Sequence, residues 1–220
     1  MPQPTLQRLA VYGAGGCGRL VADLAEACGG WRVDLFDDSW PGLHTSGPWP
    51  VVGDAQCLEA TLDTYAGVVV ALGDCARRLS AHRRLRAAGA RLPVLVHPKA
   101  WVSPHAELSA GCIVMAGAVV NVGAALGQAC MINTGATVSH DCALGDGVHI
   151  SPGANLAGTV TVGESTWVGL GAAVKHGVHL GRDAIVGAGA VVIRHVFDGT
   201  CVVGCPARLL WPAREGNPKL

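Results

Sequence analysis

Aliphatic residues recur at every sixth position through the second half of the chain. From Val96 to Val192, each of the seventeen residues whose number is a multiple of six is Val, Leu or Ile. A helix has a period of 3.6 residues and a strand has a period of two, so neither explains a pure period of six. A fixed short repeat of this kind predicts a β-helix, in which the aliphatic side chains fill the interior.

Two further positions of the repeat fit the same interpretation. The residue two places before each aliphatic is small or β-branched, as in Ala118, Cys130 and Val148, and a small side chain suits a tight corner. The residue before that one is often Gly, as in Gly117 and Gly135, and glycine tolerates the positive φ of a sharp turn. Because three six-residue faces close one triangular coil, we expect about five coils of eighteen residues.

The register also accounts for two features that could mislead. The apolar run 111–126 could suggest a membrane span, but it is shorter than the roughly 20 residues that a span needs. Cys112, Cys130 and Cys142 could suggest a metal site or disulfides, but all three occupy the small-residue position. There a cysteine acts as a small hydrophobic residue, so we expect them to serve packing.

Composition limits the partners. The chain carries 16 basic and 16 acidic residues, a net charge of zero, which argues against a nucleic-acid or anionic-membrane surface. No signal peptide is recognisable at the N-terminus. Nine cysteines with no CxxC pair fit a reducing compartment, so we expect a cytoplasmic protein. The mean hydropathy of +0.37 is high, as a buried oligomer interface would make it.

The first ninety-five residues follow a different pattern, in which predicted strands and helices alternate. We expect a small parallel sheet with helices on its faces. The expected strands span 9–12, 31–36, 65–72 and 93–96, the helices 19–28 and 75–89, and a loop 39–50. The predicted fold is therefore an α/β Rossmann-like half domain over 1–95 and an all-β parallel β-helix over 96–210, with a tail over 211–220.

A glycine motif lies in the half domain. Gly13, Gly15 and Gly18 match GxGxxG between a strand and a helix, and Asp37 and Asp38 follow about twenty residues later. Backbone N–H groups of such a loop hold phosphates, and the carboxylate holds ribose hydroxyls. The motif alone does not distinguish a nucleotide sugar from NAD(H) or from a structural turn. Because the half domain contains only one mononucleotide-binding half and a fragment, a nucleotide or nucleotide sugar is favoured and no NAD is expected.

One polar pair interrupts the small and apolar repeat. His140 follows the interior Val138 by two residues, so it should point outward from a corner, and Asp141 is next to it. Gly158 lies eighteen residues further on, directly above His140, and leaves room beside the imidazole. Such an imidazole can act as a general base that the carboxylate orients. The alternative is an exposed surface pair. The remaining histidines outside this region are expected on the surface or in loops: His44, His82, His97, His105, His176, His179 and His195.

Residues 102–192 resemble the hexapeptide-repeat, left-handed β-helix acyltransferases. The segment 204–208, Gly-Cys-Pro-Ala-Arg, resembles the one that commonly closes their coenzyme A site. The segments 12–18, 36–38 and 72–74 are similar to those of one subfamily. It contains the NeuD-type sialic acid O-acetyltransferases and the PglD-type nucleotide-amino-sugar N-acetyltransferases.

The resemblance implies an acetyl-CoA-dependent enzyme that acetylates a nucleotide-linked amino sugar by direct transfer, in the synthesis of surface polysaccharide or glycan precursors. It implies a homotrimer with active sites between adjacent β-helices, and no metal. His140 would be the catalytic base and Asp141 its partner. The residues implied to contact the coenzyme are His149, Leu170 and Ala188. Those implied to contact the substrate are Gly15, Gly16, Cys17, Asp37, Asp38 and Gly73.

Two residues depart from the subfamily pattern, and several alternatives stay open. Cys17 stands where relatives commonly have His, and Asp141 where many have Glu. The chain could instead be an O-acetyltransferase acting on sialic acid or another sugar, or a non-catalytic trimeric scaffold that binds a nucleotide sugar. An NAD-dependent enzyme is a further alternative, as is a covalent acetyl intermediate on Cys17 or Cys142.

Overall fold

The computed structural model describes residues 6–212. The chain forms two compact units, and the boundary between them falls between Pro98 and Lys99. The tail predicted at 211–220 lies outside the described residues, apart from the two positions that end the last strand.

The first unit is built on a five-stranded sheet with the order β3-β4-β2-β1-β5, in which all neighbours are parallel except β3 and β4. Its strands are β1 (Gln7–Tyr12), β2 (Trp31–Phe36), β3 (Thr45–Ser46), β4 (Trp49–Gly53) and β5 (Gly67–Val70), and β6 (Leu95–Val96) follows near the end of the unit. Its helices are α1 (Gly16–Cys28), α2 (Ala55–Ala60) and α3 (Cys75–Ala87), with a 3-10 turn at Leu62–Thr64.

The sheet packs through alternate residues of its strands. Ala10 and Tyr12 of β1 join Leu58 of α2 and Leu85 of α3 in one buried cluster, so α2 and α3 cover the same face of the sheet. The alternation also places Tyr12 at the carboxyl end of a central strand, which is where parallel sheets bind their ligands.

The loop predicted over 39–50 is wrong in its second half, because β3 and the start of β4 lie there. Trp49 and Val51 of β4 are buried, whereas Pro50 and Val52, which alternate with them, are exposed. The missing N–H of Pro50 is tolerated in this two-stranded edge, and the Pro, Gly and Trp around it concealed the strand from the sequence.

The second unit repeats a two-residue strand every six residues, and three faces stack these strands into coils. The first face is β7, β10, β13, β16, β19 and β22, the second is β8, β11, β14, β17 and β20, and the third runs from β9 through β12, β15, β18 and β21 to β23 and β24. From β7 to β19, each strand pairs in parallel with the strand eighteen residues later, as Val120 does with Val138 and Val138 with Leu156.

The bounds of these strands follow the period of six. They are β7 (Trp101–Val102), β8 (Glu107–Leu108), β9 (Ile113–Val114), β10 (Val119–Val120), β11 (Ala125–Leu126), β12 (Met131–Ile132), β13 (Thr137–Val138), β14 (Ala143–Leu144), β15 (His149–Ile150), β16 (Asn155–Leu156), β17 (Thr161–Val162), β18 (Trp167–Val168), β19 (Ala173–Val174), β20 (His179–Leu180), β21 (Ile185–Val186), β22 (Val191–Val192), β23 (Thr200–Val203) and β24 (Arg208–Pro212).

The interior of the coils is the aliphatic column that the repeat predicts. All fourteen multiples of six from Val114 to Val192 are buried. Cys112, Cys130 and Cys142 are fully buried beside them, and each Sγ donates to a backbone carbonyl fifteen residues later. The fold class predicted from the sequence, a Rossmann-like half domain followed by a parallel β-helix, is confirmed.

The corners take the left-handed conformation that the glycine pattern predicts. Nine glycines of the corner position, from Gly111 to Gly189, have φ between 64° and 73°. Asp141 occupies the same position of the repeat with φ of 57°. Asp is one of the few non-glycine residues that accept this conformation readily, so the carboxylate beside His140 stands on a backbone position that usually belongs to glycine.

Candidate active site

His140 and Asp141 stand on the corner between the first and second faces, after β13 and before β14. The His140 Nδ1 and the Asp141 Oδ2 are 2.8 Å apart. Both side chains are exposed, at 51% and 63% of their maximum. A carboxylate at this distance holds the proton on Nδ1 and leaves the Nε2 lone pair directed away from the pair, which is the arrangement of a general base.

Two glycines of neighbouring coils make room for this pair. A Cβ added to Gly158 would lie 2.5 Å from His140 Cε1 and 3.0 Å from Cδ2, and closer still to Nε2. A Cβ added to Gly123, one coil below, would collide with Asp141 Oδ1. Both neighbours of the pair in the stacking direction therefore leave the space that its side chains occupy, and the His140 Nε2 lies in the space above Gly158.

His176 closes the far side of that space. It stands in the same column two coils above His140, and the centres of the two rings are 6.3 Å apart with their planes tilted by 43°. Its Nε2 is 3.5 Å from Thr159 Oγ1. His176 is exposed, as predicted from the sequence, but its proximity to His140 was not predicted. The signal was present in the sequence, since 36 residues are two coils and the intervening residue is Gly158.

The residues predicted to contact the coenzyme lie elsewhere on the coil. Leu170 and Ala188 are stacked one coil apart on the corner between the third and first faces, and both are exposed. His149 lies in β15 on the third face, is only 8% exposed, and its Nε2 is 3.2 Å from Asn133 Nδ2. In a triangular coil the third face is opposite the corner of His140, so the structure of one chain does not bring these two groups together.

The glycine loop of the first unit shows which of its glycines the fold itself requires. Gly13 has φ of 112°, and a Cβ there would lie 2.8 Å from the carbonyl oxygen of Ala71. A Cβ on Gly18 would collide with the carbonyl of Gly13. Gly15 and Gly16, in contrast, have nothing within 4 Å of an added Cβ. Their open faces precede α1, whose first N–H groups can hold an anion.

Gly73 and Cys17 complete the predicted substrate loop. Gly73 also has open space where a side chain would be. The Arg78 side chain is fully buried and its Nη1 donates to the carbonyls of Leu72 at 2.9 Å and of Gly73 at 3.3 Å, which fixes the turn before α3. Burial raises the pKa of the Cys17 thiol, against the opposing charge of Arg78.

Asp37 and Asp38 have different roles in the first unit. The Asp37 carboxylate accepts the backbone N–H of Ala14 at 2.8 Å and of Ser39 at 3.0 Å, so it holds the glycine loop in place. Burial acts to raise the pKa of Asp37, but these hydrogen bonds outweigh it and the pKa is lowered. Asp38 instead accepts the Tyr12 hydroxyl at 2.9 Å and faces a cavity.

This cavity of about 450 Å³ lies at the carboxyl ends of the strands. Tyr12 and Asp38 line one part of it, and Arg77 and Arg84 from α3 line another. Two guanidinium groups and a carboxylate in one cavity can bind a ligand that combines phosphates with hydrogen-bond donors. The sequence predicted the helix that carries both arginines, but neither arginine was predicted to contact a ligand. The buried residues of this helix include Arg78 and His82 as well as apolar side chains, so the expectation that His82 lies on the surface or in a loop is wrong.

Two further observations concern the part of the chain between residues 6 and 212. No cluster of three or more His, Cys, Asp or Glu side chains in it is arranged to hold a metal ion. None of its helices is long and apolar enough to cross a membrane.

The fold and the site together define a class. The chain has the architecture of a sugar acyltransferase. An α/β unit with a glycine loop precedes a hexapeptide-repeat β-helix, which carries an oriented histidine on an exposed corner. The PglD N-terminal domain family matches residues 8–85. A comparison with curated proteins gave no match.

Solved structures resemble nearly the whole chain. The acetyltransferase domain of PglB from Neisseria gonorrhoeae, in complex with acetyl coenzyme A, is 40% identical with a TM-score of 0.89, over 93% of this chain and 100% of that one. PerB from Caulobacter crescentus, in complex with CoA and GDP-perosamine, is 38% identical with a TM-score of 0.87, over 91% and 96%. WeeI from Acinetobacter baumannii is 26% identical with a TM-score of 0.79, over 92% and 99%.

The identity and coverage of these matches assign the family. The chain belongs to the NeuD/PglD-type sugar acetyltransferases and is an acyltransferase.

Proposed function

We propose that the protein transfers the acetyl group of acetyl-CoA to the amine of a nucleotide-linked amino sugar, in the cytoplasm and on the way to a surface glycan. The observation that carries the proposal is the Asp141–His140 pair, whose free Nε2 faces the open space above Gly158. PglB and PerB, the relatives whose structures contain acetyl coenzyme A or CoA with GDP-perosamine, support the choice of both substrates.

The chemistry follows from this geometry. The neutral amine attacks the thioester carbonyl carbon, the N–C bond forms, and the amine proton passes to His140 Nε2. The C–S bond then breaks, and the proton held on His140 leaves with the CoA thiol. Asp141 stabilises the imidazolium that exists between these two steps. No covalent bond to the enzyme is needed.

A backbone N–H is available for the oxyanion of the tetrahedral intermediate. Among the backbone hydrogen bonds of the described residues, none is donated by the N–H of Gly158, which lies beside the His140 ring. A donor fixed in the coil requires no reorganisation during the reaction. We assign oxyanion stabilisation to this N–H.

The cysteines give little support to a covalent acetyl intermediate. Burial raises the pKa of both Cys17 and Cys142, which disfavours the nucleophilic thiolate at neutral pH. The Cys142 side chain is also fully buried, and its Sγ donates to the carbonyl of Ala157 at 3.2 Å. Direct transfer is the simpler reaction for these side chains.

We assign nucleotide binding to the first unit. The open faces of Gly15 and Gly16 allow a phosphate to approach the start of α1. Arg77 and Arg84 line the cavity beside Asp38 and can bind negatively charged groups of the nucleotide there, where Arg84 Nε also lies 2.8 Å from Glu59 Oε1. Asp38 can accept hydrogen bonds from the base or the ribose. No NAD is expected, because the substrate itself supplies the nucleotide.

The assignment of the coenzyme to His149, Leu170 and Ala188 requires more than one copy of the chain. These residues lie on the third face and on the corner between the third and first faces. His140 lies on the corner between the first and second faces, which is opposite the third face. A homotrimer of β-helices would place the coenzyme corner of one copy beside the His140 corner of the next. We propose this assembly, with one site at each of its three interfaces.

The substrate is identified by a thermal-shift panel of UDP-, GDP- and dTDP-linked amino sugars with acetyl-CoA present, followed by mass spectrometry of the product. A product that gains one acetyl group and resists hydroxylamine is the expected amide. An ester, which hydroxylamine cleaves, would replace N-acetylation by O-acetylation. If a sugar nucleotide binds and no thiol is released with any acceptor, the chain is a binding scaffold.

The role of His140 is tested by His140→Ala. We expect kcat to fall by about 10²–10⁴-fold, the usual contribution of a general base, with unchanged melting temperature and oligomeric state. Two single-histidine variants of the Caulobacter crescentus perosamine N-acetyltransferase, His to Asn and His to Ala, have been crystallised with CoA and GDP-perosamine, so a histidine of that enzyme is dispensable for binding. Wild-type turnover in His140→Ala would exclude the proposed base.

A further inference from the structure

Two imidazoles lie close together at the corner where the proposed reaction occurs. His140 and His176 belong to one column of the β-helix, and the residue between them in that column, Gly158, has no side chain. The ring centres are 6.3 Å apart. We propose that His140 and His176 form a reversible binding site for a transition-metal ion such as Zn²⁺, and that a bound ion blocks acetyl transfer by occupying Nε2 of the base. The second part rests on the proposed function of His140.

The separation of the rings matches what such an ion requires. Zn²⁺ binds imidazole nitrogen at about 2.0–2.1 Å, so two imidazoles on one tetrahedral ion have their ring centres about 5 Å apart, and about 6 Å apart when opposed. The two rings therefore need to approach by about 1 Å at most. Both side chains are exposed on the corner, so a small rotation about χ1 or χ2 is sufficient.

The protein already holds one of the ligands in the state that a metal needs. Asp141 Oδ2, at 2.8 Å from Nδ1, keeps the proton on that nitrogen and leaves the Nε2 lone pair free. A carboxylate behind a ligating histidine is the usual outer partner in zinc sites, where it fixes the tautomer and raises the basicity of the imidazole. The geometry that makes His140 a base thus also makes it a metal ligand.

The remaining ligands determine the class of ion. The Thr159 hydroxyl lies 3.5 Å from His176 Nε2, and solvent reaches the corner, so oxygen can complete the coordination. Two imidazoles with oxygen donors suit Zn²⁺, Cu²⁺ or Ni²⁺ and do not suit Mg²⁺ or Ca²⁺. With two protein ligands the site is one for a reversible inhibitor and not for a resident cofactor.

A second pair of histidines provides a matched control. The ring centres of His179 and His195 are 6.5 Å apart, nearly the same spacing. Their nitrogens have different hydrogen-bond partners from those of His140. His195 Nδ1 accepts the His179 backbone N–H at 2.9 Å, which leaves the proton of the neutral ring on Nε2, and His179 Nδ1 is 2.7 Å from Thr161 Oγ1. If two nearby histidines were sufficient, a metal ion would bind at both pairs. We expect it to bind only at His140 and His176.

The binding test is a calorimetric titration of the purified full-length protein with ZnCl₂, in a buffer without thiols or chelators. We expect His176→Gln to weaken binding at the strongest site by at least about tenfold, the cost of losing a ligand or its support, and His179→Gln to leave it unchanged. Equal binding by His176→Gln and the wild type, or equal weakening by His179→Gln, would overturn the proposal.

The activity test separates this inference from the proposed function. We expect ZnCl₂ to inhibit acetyl transfer, and His176→Gln to require at least about tenfold more zinc for half inhibition. If zinc binds through His140 and His176 but the saturated enzyme retains full activity, the metal site stands and His140 is not the base. If no zinc binds while His140→Ala is inactive, the metal site is excluded and the base stands.

Discussion

Adding one methyl group to Gly158 tests the proposed active site without touching a catalytic side chain. The three atoms nearest to a new Cβ all belong to the His140 ring, with Cε1 at 2.5 Å. Normal contact between carbon atoms needs about 3.5 Å, so in Gly158→Ala the imidazole must move by about 1 Å. A displacement of that size lowers turnover by about 10²-fold, or about 2.7 kcal/mol in the activation barrier.

The free energy of unfolding of Gly158→Ala should increase or stay unchanged. The φ of Gly158 lies outside the left-handed region, so the backbone accepts alanine. Replacing glycine lowers the conformational entropy of the unfolded chain, which stabilises the folded protein by about 0.4–1 kcal/mol. The measurements are kcat at saturating acetyl-CoA and acceptor, and the melting temperature by calorimetry. A loss of turnover with an intact melt would locate the effect in the position of His140.

A double-mutant cycle tests whether the added methyl group acts only through His140. If the methyl group acts only by displacing His140, Gly158→Ala should have no further effect on kcat in the His140→Ala background, because the displaced ring is absent. Full additivity of the two changes would show that Gly158 acts through another group, for example its own N–H. Wild-type turnover in the single variant Gly158→Ala would show that the ring position above Gly158 is unimportant.

Three further predictions follow from the same structure. Ile150→Asp places a charge in the fully buried column and should cost more than about 4 kcal/mol of folding free energy, measured by urea unfolding, whereas Ala173→Asp on an exposed outer position should cost less than about 0.5. Asp141→Asn keeps the shape of the pair but loses its charge, so kcat should fall at least about tenfold with an unchanged melt, and unchanged kcat would contradict the role of the carboxylate. Arg84→Ala removes a cation from the cavity and should raise KM for the nucleotide sugar about 10–100-fold with little change in kcat, whereas Arg86→Ala on the same helix should leave KM unchanged. Equal effects of the two changes would show that the nucleotide does not bind in this cavity.

Much of the β-helix could be predicted because its structure is locally periodic. A coil of eighteen residues has three interior positions, so a sequence that fills them must repeat every six, as the column from Val114 to Val192 does. The same register predicted the left-handed corners and the space that Gly158 leaves for His140. These relations depend only on counting residues, since no insertion disturbs the coils.

The errors occurred where neighbours in space are set by packing. His82 was assigned to the surface or to a loop, but it lies in α3 and is 1% exposed. Strand β3 and the first two residues of β4 were predicted as loop, because these strands are defined by pairing with each other and with β2 and not by their own pattern. Helix α3 was predicted, but no role was predicted for its arginines, of which Arg78 is buried against two carbonyls and Arg84 lines a cavity.

Residue spacing is sufficient to predict the period of the coils, the identity of the interior column and the position of the His–Asp pair within the repeat. These follow from one-dimensional spacing, because each coil stacks on the previous one in a fixed register. The tertiary structure alone decided which polar groups meet: the 2.8 Å contact of His140 with Asp141, the approach of His176, and the cavity between Asp38 and Arg84. Those distances depend on rotamers and on packing between elements distant in sequence, which residue spacing does not encode.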